Sequence, residues 1–118
     1  MLKLLFVHPN VKLTSLYQQK LQDHFLVDSA RDGLTALRKS KINLPEVIVS
    51  EWNLPILSGS ALLKAVRMHS RLNHTPFLVF TEAVFDHQAL SLGANEWLMQ
   101  SVINPEILIE KIWKHIKI

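Results

Sequence analysis

The apolar positions of this chain switch repeatedly between a strand-like and a helix-like period. Leu2 to Val7 is apolar apart from Lys3, the pattern of a strand covered on both faces. Pro9-Asn10 breaks that run, and Asn10 is placed to cap a helix reaching about Asp23, with Leu13, Leu16, Tyr17 and Leu21 at helical spacing. Phe25-Leu26-Val27 predicts a short second strand. Asp32-Gly33 then opens a helix carrying Leu34, Leu37 and Ile42. Pro45 to Ser50 predicts a third strand, and its Val-Ile-Val run reads as central. Ser58 or Ser60 caps the next helix, with Leu62, Leu63 and Val66 on one face. Pro76 opens a fourth strand, Phe77 to Phe80, ending at Thr81. A short helix from about Asp86 to Leu92 stops at Gly93, a left-handed cap in this reading. Glu96 to Met99 is the fifth strand. Asn104-Pro105-Glu106 starts the last helix, which turns Leu108, Ile109, Ile112 and Ile116 inward.

Five strand–helix units joined by short connections predict right-handed crossovers and an α/β fold: a parallel five-stranded sheet with helices on both faces. In such sheets functional groups gather at the C-terminal strand ends, here His8 and Pro9, Glu51, Thr81, and Gln100.

Composition narrows the function classes. A length of 118 residues with 48% apolar and 19% charged residues fits one domain, 1–118, with a real core. No cysteine is present, so disulfides and thiolate zinc sites are excluded, and a reducing compartment fits. The apolar runs fall far short of the ~20 residues of a spanning helix. The apolar N-terminus meets His8-Pro9-Asn10 too soon for a signal peptide. A net charge of +3 comes from scattered lysines without a basic–aromatic cluster, which argues against nucleic-acid binding. His69 and His74 flank a loop without a third ligand, so no metal is assigned to them.

The motif Glu51-Trp52-Asn53-Leu54-Pro55 closed by Gly59, then Thr81, then Leu92-Gly93-Ala94 followed by Trp97, resembles the receiver domain of two-component response regulators over the whole chain. The resemblance implies the flavodoxin-like (βα)5 fold, a phosphoacceptor site at the strand ends, and a bacterial cytoplasmic setting. It also implies a face formed by the fourth helix, fifth strand and fifth helix, used for protein partners or self-association. Trp97 falls at the switch position of that face, and Phe85, Ile107 and Trp113 add apolar surface there. The segment from Thr81 to Gly93 is about one helical turn shorter than is usual, which brings Val84 and Phe85 into play.

The departures carry more weight than the matches. The family's phosphoacceptor is an aspartate, and here it is Glu51. His8 and Pro9 replace the acidic pair that holds a divalent cation, and Gln100 replaces the lysine after the fifth strand. Magnesium wants near-octahedral oxygen ligands, whereas Pro9 has no side-chain oxygen and His8 offers nitrogen. Phosphoryl transfer leans on cations around the equatorial oxygens, and both family cations are missing. The extra methylene of glutamate displaces its carboxylate by ~1.5 Å, where ~1 Å can cost ~100-fold in rate. The expectation is therefore a non-enzymatic pseudo-receiver without metal or cofactor, acting through protein contacts and open to an output domain in a longer chain. The alternative is a working receiver that accepts a phosphoryl group from a histidine kinase.

Two readings of each site residue stay open at this level. Glu51 either accepts hydrogen bonds from Thr81 and the Gln100 amide, as a mimic of the phosphorylated state, or simply faces water. His8 either pairs with Glu51 or ends its strand as a polar residue. Trp97 either reports the state of the site or packs at the sheet edge.

Overall fold

The computed structural model describes residues 1–116. Its elements are β1 (Lys3–Val7), α1 (Val11–Leu21), β2 (Leu26–Ala30), α2 (Gly33–Asn43), β3 (Val47–Ser50), α3 (Gly59–Met68), β4 (Phe77–Thr81), α4 (Gln88–Ser91), β5 (Glu96–Met99) and α5 (Pro105–His115). A single 3-10 turn, Gln100–Val102, follows β5. The five strands are parallel in the order β2-β1-β3-β4-β5. The order reverses between β1 and β3, which opens a crevice beyond their C-terminal ends.

Local chemistry explains the helix starts. Asn10, Asp32, Ser58 and Asn104 each accept the N–H three residues on, from Leu13, Thr35, Ala61 and Ile107. Of the two serines before α3, Ser58 is the cap. Two cores sandwich the sheet. Leu5, Val7, Ile48, Phe77 and Val79 pack with α2 and α3 residues on one face. Leu4, Phe6, Val47, Leu78 and Phe80 pack with Tyr17, Leu21, Leu108 and Ile112 on the other. Tyr17 also donates its hydroxyl to the Ile103 carbonyl at 2.9 Å, tying α1 to the approach to α5.

Three expectations need correction. The second strand runs from Leu26 to Ala30, because it pairs with all of β1 from Lys3↔Leu26 to Val7↔Ala30, and Phe25 precedes it. Leu16 is 52% exposed and Ile42 78% exposed. On α1 the buried stripe is set by Tyr17 and Leu21, which leaves Leu16 about 100° off it. On α2 the buried positions are the small residues Gly33, Ala36 and Ser40. A Cβ on Gly33 would fall 1.9 Å from the Leu57 carbonyl oxygen, so the start of this helix packs through its backbone, while Leu37 lies partly buried against the core. The fourth helix is a single turn of four residues, shorter than the Asp86–Leu92 expectation.

Candidate functional site

The strand register brings the expected site residues to one edge. Val7 lies opposite Ser50, and Thr81 opposite Met99, so His8, Glu51, Thr81 and Gln100 stand at adjoining strand ends. The main chain reinforces this: Glu51 N–H donates to the Val7 carbonyl at 2.8 Å and His8 N–H to Ala30 at 3.0 Å.

The Glu51 carboxylate turns back on its own loop. Its Oε2 accepts the N–H of Trp52 at 2.6 Å and of Asn53 at 3.2 Å. Its Oε1 faces His8 Nε2 at 3.7 Å, beyond hydrogen-bond length. His8 is 5% exposed, lying against Phe6 and Phe80. Its Nδ1 accepts the Asn10 N–H at 3.1 Å, so the tautomer that satisfies both ring nitrogens carries its proton on Nε2. That proton is donated to Gln100 Oε1 at 2.8 Å. Among the described residues no lysine or arginine makes a hydrogen bond or ion pair with Glu51.

Two of the expected contacts are replaced by others. The Gln100 side chain meets His8 and not Glu51, reaching past the ends of β4 and β3 to the end of β1. Thr81 is fully buried and its hydroxyl accepts the Ala83 N–H at 3.0 Å, while no hydrogen bond joins it to Glu51 among the described residues. Pro9 is exposed and brings no donor atom to the site.

The metal site implied by the resemblance does not fit these residues. One Glu51 oxygen already serves two backbone N–H groups, the neighbouring position is Pro9, and the His8 ring has both nitrogens engaged, which leaves a single carboxylate oxygen for a cation that wants near-octahedral oxygen ligands. Among the described residues no group of three or more His, Asp or Glu is arranged to hold a metal ion.

Trp97 is half-buried, against the core and edge-on to both Trp52 and Phe85. Ile107 is half-buried on α5. Trp113 lies elsewhere than expected. Lys111 and His115 of α5 reach Glu96 on β5 at 3.1 and 2.7 Å, whereas Trp113 stacks on Phe25, before β2, at 5.2 Å. A rotation of about 100° per residue carries residue 113 around to the α1 side of the helix. Trp113 therefore does not belong to the β5-side face.

Two residues of consequence escaped the sequence reading. Asp86 accepts the Trp52 indole N–H at 3.3 Å and the Gln88 N–H at 2.9 Å. Arg67 donates to the carbonyls of Gly93 and Thr75, both at 2.7 Å, and to Asn95 Oδ1 at 3.0 Å. An acid two residues before a short helix was a readable signal for the first. Nothing in the spacing around Arg67 pointed to the second.

A doubly wound parallel sheet with an acid at its switch point defines the class. No protein-family model matches the sequence. The chain is 32% identical over 118 residues to the chemotaxis protein CheY of Pseudomonas aeruginosa, covering 96% of this chain and 94% of that protein. It is 35% identical over 74 residues to chemotaxis protein CheY-3 of Vibrio cholerae, covering 60% of this chain and 57% of that protein. The solved structure of the chemotaxis response regulator CheY4 of Vibrio cholerae superposes with a TM-score of 0.91 at 32% identity, covering 98% of this chain and 99% of that one. This chain belongs to the CheY-like family of response-regulator receiver domains, the signalling modules of two-component systems. Among the described residues no helix is long and apolar enough to cross a membrane.

Proposed function

We propose that residues 1–118 form one receiver-like domain that signals through protein contacts without taking up a phosphoryl group. The observation that carries this reading is the surroundings of Glu51. One carboxylate oxygen is bound by the Trp52 and Asn53 N–H groups, and the other faces an imidazole nitrogen whose proton goes to Gln100. A phosphoryl group arriving there would add close to two negative charges with no cation at hand to neutralise them. In an enclosed site that electrostatic term is usually the largest in transfer. The domain is accordingly not an enzyme and uses no metal or cofactor.

Its working surface is the α4–β5–α5 face, where Phe85, Leu90, Met99 and Val102 are exposed and Ile107 is half-buried. The partner is another protein of the cytoplasmic signalling machinery, a second copy of the chain, or an output domain. The site residues of this reading are Glu51, His8, Pro9, Thr81 and Gln100, with Trp97, Phe85 and Ile107 on the working face.

The test is intact mass after incubation with acetyl phosphate and magnesium. The expected result is an unchanged mass, with the Glu51→Ala variant giving the same result. A gain of one phosphoryl group that disappears in Glu51→Ala overturns the reading and establishes a working receiver.

A further inference from the structure

β1 and β2 begin side by side at one edge of the sheet, at the end remote from Glu51. Their register pairs Lys3 with Leu26 and Leu5 with Asp28. Leu5 packs into the core beneath α2, and strand alternation puts Lys3, Leu26 and Asp28 on the same face. α2 closes on this face through the small residues Gly33, Ala36 and Ser40, with Leu37 partly buried against the core. Toward the start of β2 it offers Lys39 and Asn43, and both are drawn to polar partners. Lys39 Nζ donates to Asp28 Oδ1 at 2.9 Å and to the Ser29 carbonyl at 2.7 Å, and Asn43 Nδ2 donates to Asp28 Oδ2 at 3.3 Å. No apolar side chain of α2 lines the space between, and an open cavity of about 210 Å³ remains. Leu5, Leu26 and the buried Pro45 supply its apolar wall, and Leu26 is 56% exposed in consequence.

The charges around this cavity do not balance. Asp28 and Lys39 neutralise each other, and Asp28 accepts a further bond from the Ser29 N–H at 2.8 Å. Lys3 has no such partner. Its Nζ donates to the carbonyl of Asn43, the last residue of α2, at 3.2 Å. A helix end carries only a partial negative charge, and among the described residues Lys3 makes no ion pair. Glu46, the acid next to it, is turned to the Lys3 main-chain N–H and does not line the cavity. An ammonium has three donor protons, so Lys3 keeps donor capacity for an anion beside an apolar wall.

We propose that this cavity binds a small amphipathic monocarboxylate, an aromatic ring on a short acid-bearing stem. The size fits, since an apolar cavity of about 150 Å³ holds benzene, and the larger volume leaves room for the stem. The ring covers Leu5, Leu26 and Pro45, and the carboxylate takes charge-assisted hydrogen bonds from Lys3. A dianion is a poorer fit, because Asp28 lines the same cavity and the surplus there is one positive charge. The bound acid bridges β1, β2 and the last turn of α2, so it stabilises the folded chain by mass action. The site stands apart from the strand-end acid: Lys3 and Leu26 open their strands, whereas Glu51 follows the end of β3.

Nuclear magnetic resonance of the backbone amides tests this on the intact chain, with hydrocinnamate as the probe. Saturable shifts are expected at Lys3, Leu26, Asp28 and Asn43, with a midpoint on the order of a few millimolar for a ligand this small, while Glu51 and Gln100 stay in place. Hydrocinnamide, the same shape without the charge, should bind roughly fivefold or more weakly. Acetate, the charge without the ring, should leave these amides where they are. Lys3→Met keeps the stem and removes the ammonium, so it should abolish the preference for the acid over the amide. Leu26→Thr should weaken both aromatic probes alike. Both positions are exposed, so the variants should fold, and unchanged amide signals along β3 and β4 check this. The proposal is overturned if no saturable shift appears up to about 20 mM, or if the wild type binds acid and amide equally. It is equally overturned if acetate moves the same amides as strongly, which would mean an exposed charge and no cavity site. A shift map centred elsewhere on the molecule, or a Lys3→Met chain that still prefers the acid, overturns it too.

Discussion

Glu51 and Arg67 sit at opposite ends of the sheet, and both are hydrogen-bonded mainly to polar groups that carry no counter-charge. Glu51 takes N–H groups from Trp52 and Asn53, the two residues that follow it. Arg67, on the last turn of α3, gives its protons to carbonyls of the α3–β4 connection and the α4–β5 turn, and to the Asn95 side chain, which also accepts the Phe77 N–H. Burial pushes the Arg67 guanidinium down from its ordinary pKa, yet that value is so high that the group stays charged. The difference between them is reach. Arg67 ties α3 to the connection that follows it and to the α4–β5 turn, 26 to 28 residues on, so it belongs to the architecture. Glu51 organises its own turn, so it belongs to local conformation. At the position where the resemblance implies a phosphoacceptor, the carboxylate accepts the two backbone N–H groups of its own turn.

The contrast breaks most visibly at Arg67. Arg67→Met keeps the length of the stem and removes every donor, leaving the Gly93 and Thr75 carbonyls and the Asn95 amide oxygen short of partners. The Gly93 and Thr75 carbonyls are part-buried, and losing their donors costs about 1–3 kcal/mol in total. Urea denaturation should show that loss as a lowered midpoint with an unchanged slope. A loss below about 0.5 kcal/mol, typical of an ordinary surface substitution, would mean that water replaces the guanidinium and that Arg67 is no hub.

Glu96 sharpens the comparison because it does have counter-ions. Burial pushes its carboxyl up, but hydrogen bonds and charge from His115 and Lys111 outweigh this and hold it below the usual carboxylate range. A depressed folded-state pKa contributes stability that is present above the unfolded-state value and is lost as pH falls through the folded one. Glu96→Gln should therefore cost about 1 kcal/mol near neutral pH. The gap from the wild type should begin to shrink as pH falls below the unfolded-state value of about 4.3 and close once the folded carboxyl is protonated too. A gap that stays constant with pH would assign the loss to packing and not to charge.

The parts of this molecule that could be read from its sequence are those fixed by local chemistry. The Val-Ile-Val core of β3, the Asn104-Pro105 start of α5 and the Glu96–Met99 strand were legible because burial on both faces, capping and turn signals act over a few residues. β2 was misplaced because Asp28 and Ser29 sit on an edge strand, where polar residues are tolerated and the apolar signal fades. The buried stripe of α2 was missed because Gly33, Ala36 and Ser40 pack by being small, which a hydrophobicity pattern does not register. At the strand ends, the residues that gather could be named, but not the direction of their side chains. Gln100 chooses between His8 and Glu51 by distances that only the assembled sheet sets. The Trp52–Asp86 bond joins residues 34 apart, and the bonds of Arg67 end largely on backbone, which has no sequence signature.

The smallest expected effect is at Glu51 itself. In Glu51→Gln the amide oxygen can still accept the Trp52 N–H, so the turn keeps a partner and loses only the charge assistance, under about 1 kcal/mol. No lysine or arginine is stranded by the change, because none of the described residues pairs with this acid through such a group. In a receiver whose acid faced a lysine and a cation, removing the negative charge would instead relieve or expose a buried positive one, with a larger effect of either sign. Measured beside Arg67→Met, Glu51→Gln should shift the urea midpoint by a small fraction as much. Equal losses would make Glu51 a structural hub like Arg67.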